Sequence, residues 1–162
     1  MDVLRNNGTF SVLTQAEQAT VLNTIEPDVL GRMLEEIVLH ETVAARGGWE
    51  WRPAGEEPDS RLEVFKLNGN TLPSGKVCFY EFDMVCYDHA AQALDLYEIR
   101  HSDKVVPAQT RHLAHDEVVE ALVDSYGALS VGRHVLYRGP SLPDPLGLGI
   151  DYVNVEEYLA GL

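Results

Sequence analysis

Cysteine is nearly absent from the 162 residues: Cys78 and Cys86 are the two present. They lie too far apart along one extended apolar run for a disulfide and lack the paired spacing of a zinc site. They read as small core residues sharing one strand face, in a reducing compartment. Positive charge is also scarce, with 12 Lys and Arg against 26 Asp and Glu and a formal net charge of −14. Such a field repels nucleic acid unless basic residues cluster or a metal offsets carboxylates. No apolar run approaches the ~20 residues of a membrane span, and Met1-Asp2-Val3-Leu4-Arg5 leads into no long apolar stretch. The expectation is a soluble, cytoplasmic protein without a membrane partner. No Gly-rich loop ends in Lys-Ser or Lys-Thr, which excludes ATP binding of the P-loop kind. The six histidines show no ligand spacing beyond His112 and His115, three apart, which would need a third zinc ligand and read more simply as surface residues.

Hydrophobic residues make up 45% of the chain, enough for one compact domain with a sizeable core. Thr14 and Glu17 form a capping-box pattern opening a short helix to about residue 23, a helical extension within residues 1–26. Pro27 is placed for the first turn of a stronger helix that Gly47-Gly48 end. Leu30, Met33, Leu34, Ile37, Val38 and Glu41 fall on one side of its wheel, with Arg32 and Glu35 opposite, on a face expected to be solvated. Strands are expected at residues 49–51 and 62–65, separated by a loop excursion at 53–58, and again at 77–87, 94–100 and 131–137. A helix is expected from about Pro107 to Ser125, closed by Gly127, and residues 139–149 form a Pro- and Gly-rich loop. Asn154 with Glu157 caps a short terminal helix. A hairpin followed by a helix and a further strand gives a mixed sheet flanked by helices, an α/β sandwich spanning residues 27–162.

The chemistry concentrates on the hairpin of residues 77–87 and 94–100, joined by Asp88-His89-Ala90-Ala91-Gln92. Strict alternation places Asp83 on a face with Phe79, Glu81, Val85 and Tyr87, and Glu98 with Leu94, Leu96 and Arg100. Both faces are apolar, so an ionised carboxylate there needs a cation. Arg100, two residues past Glu98, can supply it as an internal ion pair. Alternatively Asp83 and Glu98 hold a hard divalent ion such as Mg²⁺, which takes one or two carboxylates and keeps waters for phosphate to replace. Lys104, Arg111 and His112 lie beyond the hairpin, either as a small basic rim or as solvated charges. Trp49 and Trp51 alternate in a short strand, where packing is the simple reading and base stacking the functional one.

Residues 31–41 (Gly-Arg-Met-Leu-Glu-Glu-Ile-Val-Leu-His-Glu), then Glu81-Phe82-Asp83-Met84-Val85, then Tyr97-Glu98-Ile99-Arg100-His101-Ser102-Asp103-Lys104, occur in an order that resembles the PD-(D/E)XK nuclease-like superfamily. The wording is similar to the uncharacterised carboxy-terminal domain of prokaryotic AAA-type ATPases, over about residues 27–138, with residues 53–75 matching poorly. The resemblance implies a restriction-endonuclease-like fold and Mg²⁺-dependent hydrolysis of nucleic-acid phosphodiesters. It implies a site of Glu35, Asp83, Glu98 and, in the place of the family's Lys, Arg100, with the Ile99 carbonyl as a further metal ligand beside Asp83 and Glu98. Glu41, from the helical wheel, competes with Glu35, and Gln109 stands where some relatives carry a Gln near the site. Arg in the Lys place preserves charge while altering water placement. The competing expectation is a catalytically degenerate domain that binds an ATPase domain or another protein partner.

Overall fold

The computed structural model describes residues 27–46 and 62–162, and the helix expected at 14–23, the strand at 49–51, the loop at 53–58 and the Gly47-Gly48 stop lie outside the described residues. Helix α1 (Pro27–Arg46) is followed by β1 (Leu62–Thr71), β2 (Val77–Asp88) and β3 (Ala93–Ile99). A 3₁₀ turn (Pro107–Thr110), α2 (Asp116–Tyr126), β4 (Ser130–Tyr137), β5 (Asp151–Asn154) and α3 (Val155–Ala160) complete the order. The five strands form one sheet in sequence order, β1-β2-β3-β4-β5. The β1/β2 and β2/β3 pairs are antiparallel, and β3/β4 and β4/β5 are parallel. The architecture is therefore α/β with a mixed sheet.

Each face of the sheet carries its own core. One contains Tyr80, Phe82, Val85, Tyr87, Leu94, Leu96, Val135 and Tyr137, covered by Val118, Val119 and Leu122 of α2 and by Leu113. The other contains Met84, Cys86, Tyr97, Ile99 and Leu136, covered by Val38 with Leu34, Leu39 and Val43 of α1 and by Val155, Tyr158 and Leu159 of α3. Both sides of the hairpin are covered, as expected from its apolar faces. The Thr42 hydroxyl donates to the Val38 carbonyl at 2.7 Å and lies 2.9 Å from the Tyr158 hydroxyl, tying α1 to α3.

Four features depart from the sequence reading. Strict alternation fails along β2, because Phe65 pairs with Val85 whereas Leu67 pairs with Phe82. Asp83 and Met84 thus oppose Lys66 alone, a β-bulge that returns Phe82 and Val85 to one face. Asp83 consequently does not share a face with Val85 and Tyr87, and Cys78 and Cys86 pack against opposite cores. Second, α1 presents Leu34, Val38 and Thr42 to the sheet, while Met33, Ile37 and exposed Glu41 line a hollow on another side of the helix. Third, the helix expected from Pro107 is split. A new helix starts at Asp116, where Asp116 and Glu117 favour the positive end of α2, and Arg133 holds the break by donating to the Leu113 carbonyl and Asp116 Oδ1. Fourth, β5 is an additional short parallel strand.

The ends of α2 and α3 follow their local signals. Gly127 closes α2 in the left-handed region at φ 64°, where only glycine sits without steric cost. Asn154 Oδ1 accepts from the Glu156 and Glu157 amides, both at 2.9 Å, and its Nδ2 donates to the Gly139 carbonyl at 2.8 Å. Asn154→Ala removes the cap and the loop tether together, and the expected loss is about 1–2 kcal/mol. Urea denaturation of the two proteins measures it.

Candidate functional site

β2 and β3 pair from Asp88↔Ala93 to Met84↔Tyr97, and the bulge at Asp83 ends the pairing. Past that point the Ile99 amide donates not to a β2 carbonyl but to Asp83 Oδ2, at 2.7 Å. β3 remains attached to β4 through Ile99↔Leu136 and through the Arg100 amide, which donates to the Leu136 carbonyl at 2.8 Å. The two strands therefore part with an acidic side chain inserted in the fork, satisfying a buried donor that would otherwise lack a partner.

Arg100 fills the same fork. Its Nη1 donates to Asp83 Oδ2 at 2.6 Å and to the Ile99 carbonyl at 2.7 Å, and its Nη2 donates to Glu98 Oε2. Asp83 and Glu98 are thus brought within reach of one cation, although they come from different strands. Both are buried, Asp83 at 8% and Glu98 at 2% exposure. Glu98 Oε1 is fully buried and has no hydrogen-bond partner among the described residues. Burial pushes the Glu98 carboxyl from an ordinary 4.5 up to about 8, Arg100 opposes the shift, and the charges of Asp83, Glu81 and Glu35 add to it. Because the folded state holds this proton more tightly than the unfolded chain, the contribution of Glu98 to stability fades as pH rises from near 5 through about 8.

Glu35 stands on α1, half-buried rather than solvated, and lines a cleft of about 400 Å³ with Arg32, Ile99, Arg100 and Gln109. Burial and then the charge of Asp83 raise its carboxyl, against Lys66 and Arg100. Glu41 is exposed and lines the hollow with Val29, Met33 and Ile37, not this cleft, so it does not compete with Glu35. Gln109 lines the cleft and also accepts from the Val106 amide through Oε1 at 3.0 Å, so it serves the turn as well. Among the described residues no group of three or more His, Cys, Asp and Glu gathers in ligand geometry, so neither His112 with His115 nor Glu35 with Asp83 and Glu98 forms a three-ligand side-chain cluster there.

Lys66 is the site residue missed in the sequence. It sits opposite the bulge, with Nζ 2.6 Å from Glu36 and 3.8 Å from Glu35, and draws α1 toward β1. Burial lowers its ammonium, but Glu36, Glu35 and Asp83 outweigh that and raise it. Around the fork, Glu35, Glu81, Asp83 and Glu98 face Arg100 and Lys66, leaving an excess of negative charge. His112 belongs to the same field: burial and Arg111 lower its imidazole, Glu81 and Asp83 raise it, and Arg100 lowers it.

Asp83→Ala leaves the buried Ile99 amide without its acceptor and takes one of two carboxylate partners from the guanidinium, and the expected cost is about 2–4 kcal/mol. Asp83→Asn keeps an acceptor and is expected to recover part of that loss. Denaturation, with hydrogen exchange at the Ile99 amide, distinguishes the two, and equal stability of the Ala and wild-type proteins contradicts the role of Asp83 in the fork. No protein-family model, curated protein or solved structure matches the chain.

Proposed function

We propose that this chain is a metal-assisted phosphodiesterase of restriction-endonuclease-like architecture acting on nucleic acid. The observation that carries the reading is the buried, unpartnered Glu98 Oε1 in a fork with more acid than base. A buried carboxylate oxygen without a donor is costly, and a hard dication relieves that cost directly. The donor chemistry suits Mg²⁺, since Asp83, Glu98 and the Ile99 carbonyl offer oxygen alone; Arg100 now occupies Asp83 Oδ2, the Ile99 carbonyl and Glu98 Oε2, so a bound ion would take Glu98 Oε1 and displace or share the guanidinium's place. The element order supports the fold reading, since a helix precedes three antiparallel strands, a second helix and a further parallel strand.

When bound, Mg²⁺ supplies Lewis-acid polarisation of a phosphoryl oxygen and lowers the pKa of a coordinated water. Arg100 holds the two carboxylates in register, and the exposed third of its side chain turns a permanent charge toward the phosphate. Glu35, with its raised carboxyl at the cleft wall, is placed to carry a proton between water and leaving group. Lys66, hydrogen-bonded to Glu36 and 3.8 Å from Glu35, offers the compact ammonium that position 100 lacks. The AAA-type ATPase domain implied by the resemblance is the proposed protein partner.

A second reading is favoured by the guanidinium itself, which already bridges Asp83 and Glu98. In that reading the ion pair is structural and the acidic surface, at net charge −14, meets a protein partner. Calorimetry with Mg²⁺ and Mn²⁺, together with cleavage of single- and double-stranded DNA and RNA, separates the two. The phosphodiesterase reading expects saturable binding lost in Glu98→Ala, metal-dependent cleavage by the wild type, and faster cleavage by Arg100→Lys. Absence of saturable binding in the wild type gives the second reading instead.

A further inference from the structure

Helix α1 carries a second apolar stripe that no other described element covers. Leu34, Val38 and Thr42 face the sheet and α3, whereas Val29, Met33 and Ile37 follow one another at four-residue spacing on another side. With Glu41 they form one ridge of the helix surface, and Arg32, Glu36 and His40 form the next. The two ridges line a hollow of about 600 Å³, and every described residue lining it belongs to α1. Val29 is 48% exposed. The hollow runs from the first turn of α1 to Glu41, a span of ~18 Å at the helical rise.

The chain leading into α1, which lies outside the described residues, suits this hollow by composition and by length. From Gly8 to Ile25 its sole charged side chain is Glu17, while Phe10, Val12, Leu13, Val21, Leu22 and Ile25 are apolar. A segment so poor in charge favours burial over solvation. The Thr14 and Glu17 capping box, with Asn23 suited to a helix end, frames a helix of residues 14–23, ~15 Å long. Thr24, Ile25 and Glu26 then join it to Pro27, the first residue of α1, and so short a connection sends two helices antiparallel.

We infer that residues 14–25 of this same chain dock along the α1 hollow as an antiparallel helix, with Val21, Leu22 and Ile25 against Val29 and Met33 and the earlier turns running past Ile37 toward Glu41. The tether selects this occupant over a second copy or another protein, because a link of a few residues holds the segment beside the stripe at high effective concentration. Arg32 lines both the hollow and the cleft that holds Glu35 and Arg100. The docked segment therefore braces the helix that carries Glu35 from the side the sheet leaves bare.

Methyl NOE spectroscopy on the full chain, labelled at Ile, Leu, Val and Met, tests the docking without any substitution. Contacts from the Val21, Leu22 and Ile25 methyl groups to those of Val29 and Met33 are expected within one molecule. Their absence overturns the inference, as does their appearance only between differently labelled molecules in a mixed sample, which makes a second copy the occupant. Limited proteolysis with thermolysin gives a second readout. Ile37→Asp places a charge in the hollow, away from Leu34 and Val38 at the sheet, and is expected to speed cleavage within residues 10–25 about tenfold. Cleavage of that variant within about twofold of the wild-type rate overturns the docking. Should Ile37→Asp disturb folding, the methyl contacts of the wild type decide alone.

Discussion

Asp83 and Glu98 share one guanidinium at the place where β2 and β3 separate, and the surrounding structure serves that arrangement. Burying one ionised carboxylate costs several kcal/mol, and burying two side by side costs more unless positive charge is held between them. The fold meets this with a bulge that aims Asp83 into the strand gap, where it takes the Ile99 amide as well as Arg100. The parallel strand β4 keeps β3 extended through Ile99, so Glu98 and Arg100 reach the same gap. Helix α1 then closes one side, pinned through Lys66.

One guanidinium does not satisfy the cluster. Glu98 retains an oxygen with no donor among the described residues, and its carboxyl is held near 8 by burial and by neighbouring acids. A purely structural ion pair gains nothing from such an orphan, because a well-packed apolar pair of equal volume would be as stable or more so. A site that receives a dication does gain from it, since a donor oxygen already desolvated is ready to coordinate. In the proposed phosphodiesterase the guanidinium would hold part of that charge and anchor a substrate anion.

Much of this was legible in the residues. The strand pair, its short turn, the terminal-helix cap at Asn154 and the pairing of Arg100 with Glu98 all follow from local chemistry. The bulge does not, because it is a property of two strands in register, and nothing in residues 82–85 reveals that Lys66 alone will oppose Asp83 and Met84. Lys66 escaped notice for the same reason, as its neighbours in space come from β2 and α1. The error over Glu41 has a different origin: α1 carries apolar residues around more than half of its circumference, so a wheel cannot say which part meets the sheet, and Leu34, Val38 and Thr42 do. β5 has four residues beside a Pro- and Gly-rich loop, too few to show a period.

The central claim is that the carboxylate pair is short of positive charge and that a divalent ion supplies it. Carbon-detected NMR titration of the Glu98 carboxyl, with and without Mg²⁺, measures this most directly. The account predicts titration near 8 without divalent ion and a marked fall when Mg²⁺ is added. Titration in the ordinary carboxylate range, or a raised value that Mg²⁺ leaves unchanged, would contradict it.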